Sequence, residues 1–351
     1  MKPRALLALF VIFLISLIVT VSCTRQTTTP TTNTATPVVT TPIKLGLNIW
    51  AGFFPWEVAK KEKLFEANKV NVDLKWFDAY LDSINALRAG QLDANGQTLN
   101  DVISSVAAGS DQIVVLTIDN STGSDKVIVR EGINSIADLK GKKVAAEEGT
   151  VDHFLILLGL AKAGLTQADI EFRPLETGAA AAAFVAGQVD AVGVFAPFTT
   201  KALSRPGSKE LFSSKDFPGA ISDHLVVSRK TLNERPQDVQ ALVNSWFATL
   251  DFIRANPQKS YEIMAERAGV SVSEYKNFSS GVTLLGLSEN LKAFRPGQDM
   301  TSLQYAAGEI SNFLIQTGLA KQAPDLSKLF DDRFVKAYAA QKKIIAKIAK
   351  V

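Results

Sequence analysis

Residues 138–164 read DLKGKKVAAEEGTVDHFLILLGLAKAG, and this stretch decides the fold. The apolar run 143–146 predicts a buried strand, and Thr150 is a suitable N-cap for a helix over 151–163 that a glycine terminates. That helix is apolar nearly all round, which is typical of a buried helix. Its first turn leaves unpaired backbone N–H groups beside Gly149, where no side chain blocks approach. We therefore place one half of a ligand site at this turn.

A repeat relates this stretch to a second unit. The segments AGQLDANG (89–96) and AGQVDAVG (186–193) share six of eight residues at an offset of 97, which also relates Gly52 to Gly149. Each copy predicts alternating strands and helices, which indicates a parallel sheet, and the repeat indicates two such units. Because ligands bind at the carboxyl ends of strands in open parallel sheets, two such edges can face one cleft.

The first 22 residues resemble an export signal. Lys2 and Arg4 precede an apolar run over 5–21, and small residues lead to Cys23, the only cysteine of the chain. In a lipoprotein signal of this kind, Cys23 would be lipidated and become the first mature residue. An uncleaved anchor helix is the alternative, although the apolar run is short for a membrane span. Under either interpretation the remainder lies outside the cytoplasmic membrane.

The composition excludes several classes of protein. Residues 24–42 form a Thr/Pro tract, which predicts a tether. With no cysteine beyond Cys23, neither a disulfide nor a thiolate nucleophile is available. Removal of Lys2 and Arg4 with the signal lowers the formal charge from +3 to +1. A nearly neutral body without a Lys/Arg block argues against nucleic acid as a partner.

The turn WAGFFPW (50–56) ends the first predicted strand, 43–50, and is unusually aromatic. Trp50 and Trp56 are candidates for a ligand wall, with core packing as the equal alternative. Phe53 beside Gly52 is a further candidate, although core packing is the simpler explanation for it.

Other candidates follow the ends of the remaining strands. Tyr80 lies on a helix predicted over 78–89 and could face the turn. Asp101 could line a second wall or cap a helix over 102–108. A strand over 221–227 is predicted to return the chain to the first lobe, and two crossings between lobes permit closure by hinge motion. The remaining candidates at these positions are Thr98, Asp119 and Asp223.

The sequence carries no catalytic motif. It contains no G-x-S-x-G elbow, no H-E-x-x-H and no G-x-x-x-x-G-K-[ST] loop. His153 is best explained as a structural histidine, with a ligand contact as the second interpretation. A metal site formed by His153 and His224 is a minor alternative. From Pro236 onward the pattern is helical and indicates packing elements, with Trp246 in the core. No cofactor is expected.

These motifs together resemble those of one family. The export signal with Cys23, W-x-G-x-x-P at 50–55, DLKGKKV before a Gly-Thr helix start, and AAF-x-x-G-x-V-D-A with Pro197 beyond are similar to the ABC-importer binding proteins for nitrate, sulfonate, taurine, bicarbonate and thiamine precursors. The resemblance covers residues 43–294. It implies a type II periplasmic-binding fold of two α/β lobes without enzyme activity. It also implies that Trp50, Gly52, Gly149, Thr150 and Pro197 face the ligand.

Two departures from the family pattern concern the ligand. Glu147 and Glu148 stand where many members have a small hydroxyl residue, and Phe195-Ala-Pro197 replaces W-x-P. Carboxylates beside tryptophan rings favour a planar cation, so we expect a guanidine-, urea- or amine-like compound. If Glu147 instead points into solvent, the ligand is one of the family's anions: nitrate, taurine or another sulfonate, or bicarbonate.

These expectations describe a monomeric, lipid-anchored receptor in the cell envelope that delivers a small molecule to an ABC permease and its ATPase. The rival class is an enzyme like the thiamine-pyrimidine synthases, which share the fold. The fold class is α/β, with two parallel-rich sheets flanked by helices and C-terminal helices packed on lobe one. The expected divisions are a signal peptide (1–22), lipidated cysteine and tether (23–42), first part of lobe I (43–121), lobe II (122–220), and return to lobe I with C-terminal helices (221–351).

Overall fold

The computed structural model of the chain describes residues 41–348. The predicted signal peptide, Cys23 and nearly all of the Thr/Pro tether lie outside these residues.

The described residues form eleven strands. In chain order they are β1 Ile43–Asn48, β2 Val72–Phe77, β3 Ala94–Thr98, β4 Gln112–Ser121, β5 Lys126–Val129, β6 Lys143–Ala146, β7 Glu171–Pro174, β8 Ala191–Val194, β9 Lys209–Ser213, β10 Ser222–Ser228 and β11 Val282–Leu284.

Fourteen α-helices are formed within the same residues. They are α1 Pro55–Lys61, α2 Leu64–Ala67, α3 Tyr80–Arg88, α4 Leu99–Ala107, α5 Val151–Lys162, α6 Thr177–Val185, α7 Phe198–Leu203, α8 Arg229–Glu234, α9 Pro236–Ala255, α10 Pro257–Ala268, α11 Val272–Ser279, α12 Leu287–Ala293, α13 Leu303–Gln316 and α14 Arg333–Ile348.

The strands form two mixed sheets. The first has the order β11-β4-β10-β3-β1-β2 and the second β7-β6-β8-β5-β9. In each sheet the strand next to one edge, β1 or β6, is parallel to both neighbours. The strands β5 and β10 are antiparallel to both of theirs. Antiparallel pairing arises because β5 and β10 enter their sheets from the opposite lobe, so only the repeat units themselves are parallel.

The chain passes between the sheets twice. Residues 122–125 lead from β4 to β5, and residues 214–221 lead from β9 to β10. The two sheets are thus joined by two short segments, as a two-lobed fold requires.

The predicted repeat is confirmed at the level of single elements. Helices α3 and α6 begin at Tyr80 and Thr177, and strands β3 and β8 begin at Ala94 and Ala191, in both cases 97 residues apart. Glycines with positive φ follow both helices, Gly90 at 71° and Gly187 at 76°, because each chain reversal needs a left-handed residue.

The C-terminal helices pack on the first lobe, as predicted. Helix α9 lies against α1, α13 against α4, and α14 against α9. Trp56 of α1 packs on Trp246 of α9 with ring centroids 4.9 Å apart, and both are fully buried. The prediction that Trp246 belongs to the core is therefore confirmed.

Within residues 41–348, no helix combines the length and the apolar character that a membrane span requires.

Candidate functional site

A small cavity lies between the two sheets, at the carboxyl ends of their parallel strands. Its volume is about 10 Å³, and its walls come from both lobes. The lining residues are Asn48, Trp50, Tyr80, Thr98 and Asp223 from the first lobe, Val151 and Phe195 from the second, and Asp125 at the crossing.

Trp50 forms one wall of the cavity. Its indole Nε1 donates to the carboxylate of Asp119, 3.3 and 3.2 Å from the two oxygens. Its ring meets that of Phe195 edge-to-face, with centroids 5.9 Å apart and planes at 84°. Gly52 permits this arrangement because a Cβ at that position would lie 1.8 Å from Oδ2 of Asp119.

Asp119 and Asp223 form a buried carboxyl pair. They lie opposite each other on β4 and β10, and their side chains are hydrogen bonded. Burial raises the pKa of Asp119 to about 8, whereas burial and the charge of Asp119 raise the pKa of Asp223 well above its usual value. A hydrogen bond between two carboxyl groups needs a proton, so the pair holds at least one at neutral pH.

Tyr80 links its helix to the end of β3. Its hydroxyl accepts the backbone N–H of Thr98 at 2.9 Å and lies 3.3 Å from Thr98 Oγ1. Thr98 Oγ1 in turn donates to Asp101 Oδ2 at 2.6 Å. Asp101 lies within α4, which begins at Leu99, so it does not cap the helix predicted over 102–108.

Two carboxylates connect the lobes in opposite directions. Glu147, after β6 of the second lobe, accepts the backbone N–H of Leu81 at the start of α3, 3.1 Å from Oε1. Asp101 of the first lobe accepts from the backbone N–H of Val151 at the start of α5. Burial raises the pKa of Asp101 to about 7, and the hydrogen bond from Val151 partly opposes this rise. Each carboxylate thus stabilises the positive end of a helix in the other lobe.

Three functional candidates were missed by sequence reasoning. Asn48 Oδ1, Asp125 Oδ2 and Asp152 Oδ1 are buried oxygens without a hydrogen-bond partner among the described residues. Asp152 Oδ2 accepts from Thr177 Oγ1 at 2.8 Å, and burial raises the pKa of Asp152 well above its usual value. Asp152 resembled an ordinary acidic residue of a helix first turn. Asp125 lies in the short segment 122–125 between β4 and β5, which carries no binding motif.

The electrostatics of the site are strongly acidic. Within residues 41–348 the cavity lining includes no lysine or arginine. Burial raises the pKa of Asp125 to about 6 and raises that of Glu147, which is 5% exposed. The site can therefore accept hydrogen bonds and positive charge.

The two glutamates of the acidic turn lie in different environments, one buried and one exposed to solvent. Glu147 is buried, whereas Glu148 and Gly149 are exposed. The Gly149 N–H donates to His153 Nδ1 at 3.2 Å, and Thr150 Oγ1 donates to the backbone carbonyl of Glu147 at 2.9 Å. The N–H groups that we expected to meet a ligand are thus bonded within the protein at Gly149 and Val151.

Several other candidates pack inside the protein. The Phe53 ring lies over Gly96, where a Cβ would be 2.6 Å from the ring, and Trp56 is in the lobe I core beside Trp246. His153 stacks on Phe172 at 4.2 Å and contacts Gln167 at 3.0 Å, as a structural histidine does. Pro197, half-buried, precedes α7.

The two histidines have separate partners. His224 is fully buried and contacts Ser222 Oγ at 2.9 Å, and burial lowers its pKa to about 3. Among the described residues, no group of histidine, cysteine, aspartate or glutamate side chains is arranged to hold a metal ion.

Comparison with protein families gives a match over most of the chain. A family model described as NMT1/THI5 like matches residues 50–260. A protein of Brucella abortus (strain 2308) named "Putative binding protein" is 31% identical over 248 residues, which are 68% of this chain and 75% of that protein. The taurine-binding periplasmic protein of Escherichia coli (strain K12) is 26% identical over 242 residues, 66% of this chain and 75% of that protein.

Solved structures share the fold. The alkanesulfonate-binding protein SsuA from Xanthomonas axonopodis pv. citri, bound to MOPS, superposes with a TM-score of 0.70 at 21% identity. The match covers 83% of this chain and 98% of that chain. The predicted two-lobed periplasmic-binding-protein fold is confirmed.

Proposed function

Because the chain belongs to the NMT1/THI5-like family, we propose that it is an extracytoplasmic solute-binding protein of an ABC importer. It captures a small polar compound between its lobes and delivers it to a permease and ATPase. Relatives named as a binding protein and as a taurine-binding periplasmic protein support this function. They also favour binding over the rival class, an enzyme like the thiamine-pyrimidine synthases.

The compound that we propose is a small nitrogen cation of the guanidine or amine type, with urea as a neutral analogue. The observation that carries this proposal is the acidic cavity. Asp125 and Asp223 line it, and Asp119 is hydrogen bonded to the lining residues Trp50 and Asp223. No lysine or arginine is among the described lining residues. Asp125, with a pKa of about 6, is largely ionised at neutral pH, and a cation supplies the partner that this buried charge needs.

The start of α5 supports the same choice. A helix N-terminus at a cleft would ordinarily favour an anion. Here the carboxylate of Asp101 already accepts from the N–H of Val151. An anionic ligand would therefore have to displace a buried carboxylate and then lie beside it.

Taurine, other sulfonates, nitrate and bicarbonate form the alternative ligand class. Taurine is the strongest of them, because one relative is named for it and because it carries an ammonium group beside its sulfonate.

A ligand panel tests the proposal. Thermal unfolding of the full-length chain is measured with guanidinium, methylammonium, urea, taurine, ethanesulfonate, nitrate and bicarbonate. A ligand that binds only the native state raises Tm. At a ligand concentration of one hundred times Kd, it adds about 2.7 kcal/mol to the free energy of unfolding. We expect the cations to raise Tm. A rise with nitrate or ethanesulfonate alone would overturn the cationic assignment.

Anchoring at Cys23 is a separate proposal, since Cys23 lies outside the described residues. Fatty-acid labelling of cells expressing the chain should mark the wild type and not Cys23→Ala. Equal labelling of both would overturn the lipid anchor. The solute-binding proposal would not be affected.

A further inference from the structure

Two oxygens of residues that line the cavity lack hydrogen-bond donors among the described residues. They are Oδ1 of Asn48, which is 3% exposed, and Oδ2 of Asp125, which is 2% exposed. Asn48 ends β1 of the first sheet, whereas Asp125 directly precedes β5 of the second. Both residues line the cavity. The unpartnered oxygens thus come from both lobes.

An oxygen in this state is energetically unfavourable. A buried polar group without its hydrogen bond destabilises a protein, because its bonds to water are lost on folding and not replaced. A donor placed between the two oxygens would satisfy both at once.

The size of the cavity limits what that donor can be. A volume of about 10 Å³ accommodates a group about the size of one water molecule. An N–H-bearing nitrogen is of that size, whereas a nitrogen with three methyl groups is much larger. Trp50 and Phe195, in edge-to-face contact, restrict expansion of the cavity.

We propose that Asn48 and Asp125 bind an unmethylated, N–H-bearing nitrogen of the ligand between the lobes. The ligand class is then primary ammonium, amidinium or guanidinium, and quaternary ammonium is excluded. This inference rests on the proposed function and adds to it the contact residues and the requirement for N–H donors.

Asp101 provides the matched comparison. It is buried in the same region, but Thr98 donates to its Oδ2 at 2.6 Å and Asn100 donates to its Oδ1 at 2.8 Å. Its carboxylate is therefore used by the protein, and it also accepts from Val151 of the other lobe. Ser121 donates to the carboxyl group of Asp125 as well, but Asp125 Oδ2 has no donor among the described residues, whereas both oxygens of Asp101 have one. Asp101 therefore acts on closure, and Asp125 acts on the ligand.

The first test compares ligands of equal charge. Isothermal titration of the full-length chain is carried out with guanidinium and hexamethylguanidinium, and with methylammonium and tetramethylammonium. We expect each N–H-bearing cation to bind at least tenfold more tightly than its fully methylated partner. Methylated cations that bind within threefold would overturn this inference and leave a cation receptor standing. If the protein binds nitrate or ethanesulfonate but no cation, or binds no cation at all, both the proposed cationic ligand class and this inference are overturned.

The second test assigns the contact. We expect Asp125→Asn to lower the preference for guanidinium over hexamethylguanidinium at least fivefold. Asp101→Asn should weaken both ligands by the same factor and preserve their ratio. An unchanged ratio in Asp125→Asn, with the variant folded by circular dichroism, would overturn the assignment. A changed ratio in Asp101→Asn would transfer the contact to Asp101.

Discussion

The two halves of the repeat share a backbone plan and differ in almost every side chain at the cleft. At an offset of 97, Trp50 corresponds to Glu147 and Tyr80 to Thr177. Where one lobe contributes an aromatic ring, the other contributes a small polar or acidic group. Thr98 of the first lobe corresponds to Phe195 of the second, so at this pair the second lobe contributes the aromatic ring.

This difference separates what the repeat specifies from what the site requires. The shared features are strand ends, helix starts and left-handed glycines, which place two sheet edges toward one cavity. The exchanged side chains then pack across the cleft, as Trp50 and Phe195 do. An internally duplicated fold can therefore form an asymmetric site without changing its backbone plan.

The equivalent glycines of the two turns give the largest expected contrast. A Cβ on Gly52 would lie 1.8 Å from Asp119 Oδ2, so Gly52→Ala should destabilise by about 3 kcal/mol and separate Trp50 from Asp119. Gly149 has a φ of 78° and open space where a methyl group would lie, so Gly149→Ala should destabilise by about 1 kcal/mol from backbone strain alone. Urea unfolding measures both. Equal losses of stability in the two variants would mean that Asp119 moves aside to accommodate a methyl group at position 52.

The two adjacent glutamates of the acidic turn give the second contrast. Glu147→Ala removes the acceptor of the Leu81 N–H and should destabilise by about 2 kcal/mol. Because this bond joins the lobes, small-angle scattering should also report a larger radius of gyration. Glu148→Ala is the control, since Glu148 is exposed and its loss should change stability by less than about 0.5 kcal/mol. An unchanged radius in Glu147→Ala would argue against its role in closure.

The buried carboxyl groups predict an unusual pH dependence. Their pKa values are raised in the folded state, to about 8 for Asp119, about 7 for Asp101 and about 6 for Asp125. Folded protein therefore binds more protons than unfolded protein above pH ~4, and stability should fall as pH rises toward ~8. The exposed Asp138 and Asp169, with lowered pKa values, act only below about pH 4.

Urea unfolding at about pH 7 and about pH 8 measures this effect, because the lowered pKa values of the buried His224 and His153 raise stability with pH only below about pH 7. We expect a loss of about 1–2 kcal/mol between these values, allowing for relaxation of the buried groups. Asp119→Asn should reduce the loss. Stability that rises over this range would show that these carboxyl groups are ionised and solvated in the folded state.

The equivalent hydroxyls of Tyr80 and Thr177 give the smallest contrast. Tyr80→Phe leaves the Thr98 N–H without an acceptor, and Thr177→Val leaves Asp152 without its donor, each a loss of about 1 kcal/mol. Both variants should also alter the pH dependence of stability, Tyr80→Phe through Asp101 and Thr177→Val through Asp152, because each hydroxyl lowers the pKa of its carboxyl group. A pH profile unchanged from the wild type in either variant would contradict this role of its hydroxyl.

Much of the architecture could be predicted from local sequence. The 97-residue offset located matching helices and strands, and the helix predicted over 151–163 is observed at Val151–Lys162. Turn chemistry and apolar runs are local properties, so the sequence expresses them directly. The antiparallel entry of β10 was not predictable in this way, because it depends on which strands it meets after returning from the second lobe.

The site was predicted less completely for the same reason. Trp50, Tyr80 and Thr98 follow strand ends or begin a helix, and all three line the cavity. Glu147 was expected to meet a ligand, yet both of its oxygens lie near protein donors, Leu81 N–H and Thr177 Oγ1. The burial of Asp125 and Asp152 depends on contact between lobes, and no local pattern records that contact.

The carboxylates that join the lobes are different residues from those that line the cavity. Changes at Glu147 should therefore alter the fraction of molecules that are closed and multiply the apparent Kd of every ligand by one common factor. Changes at Asp125 should alter the ranking of ligands. A sensor built on this protein could thus have its working concentration range set at one position and its selectivity at another.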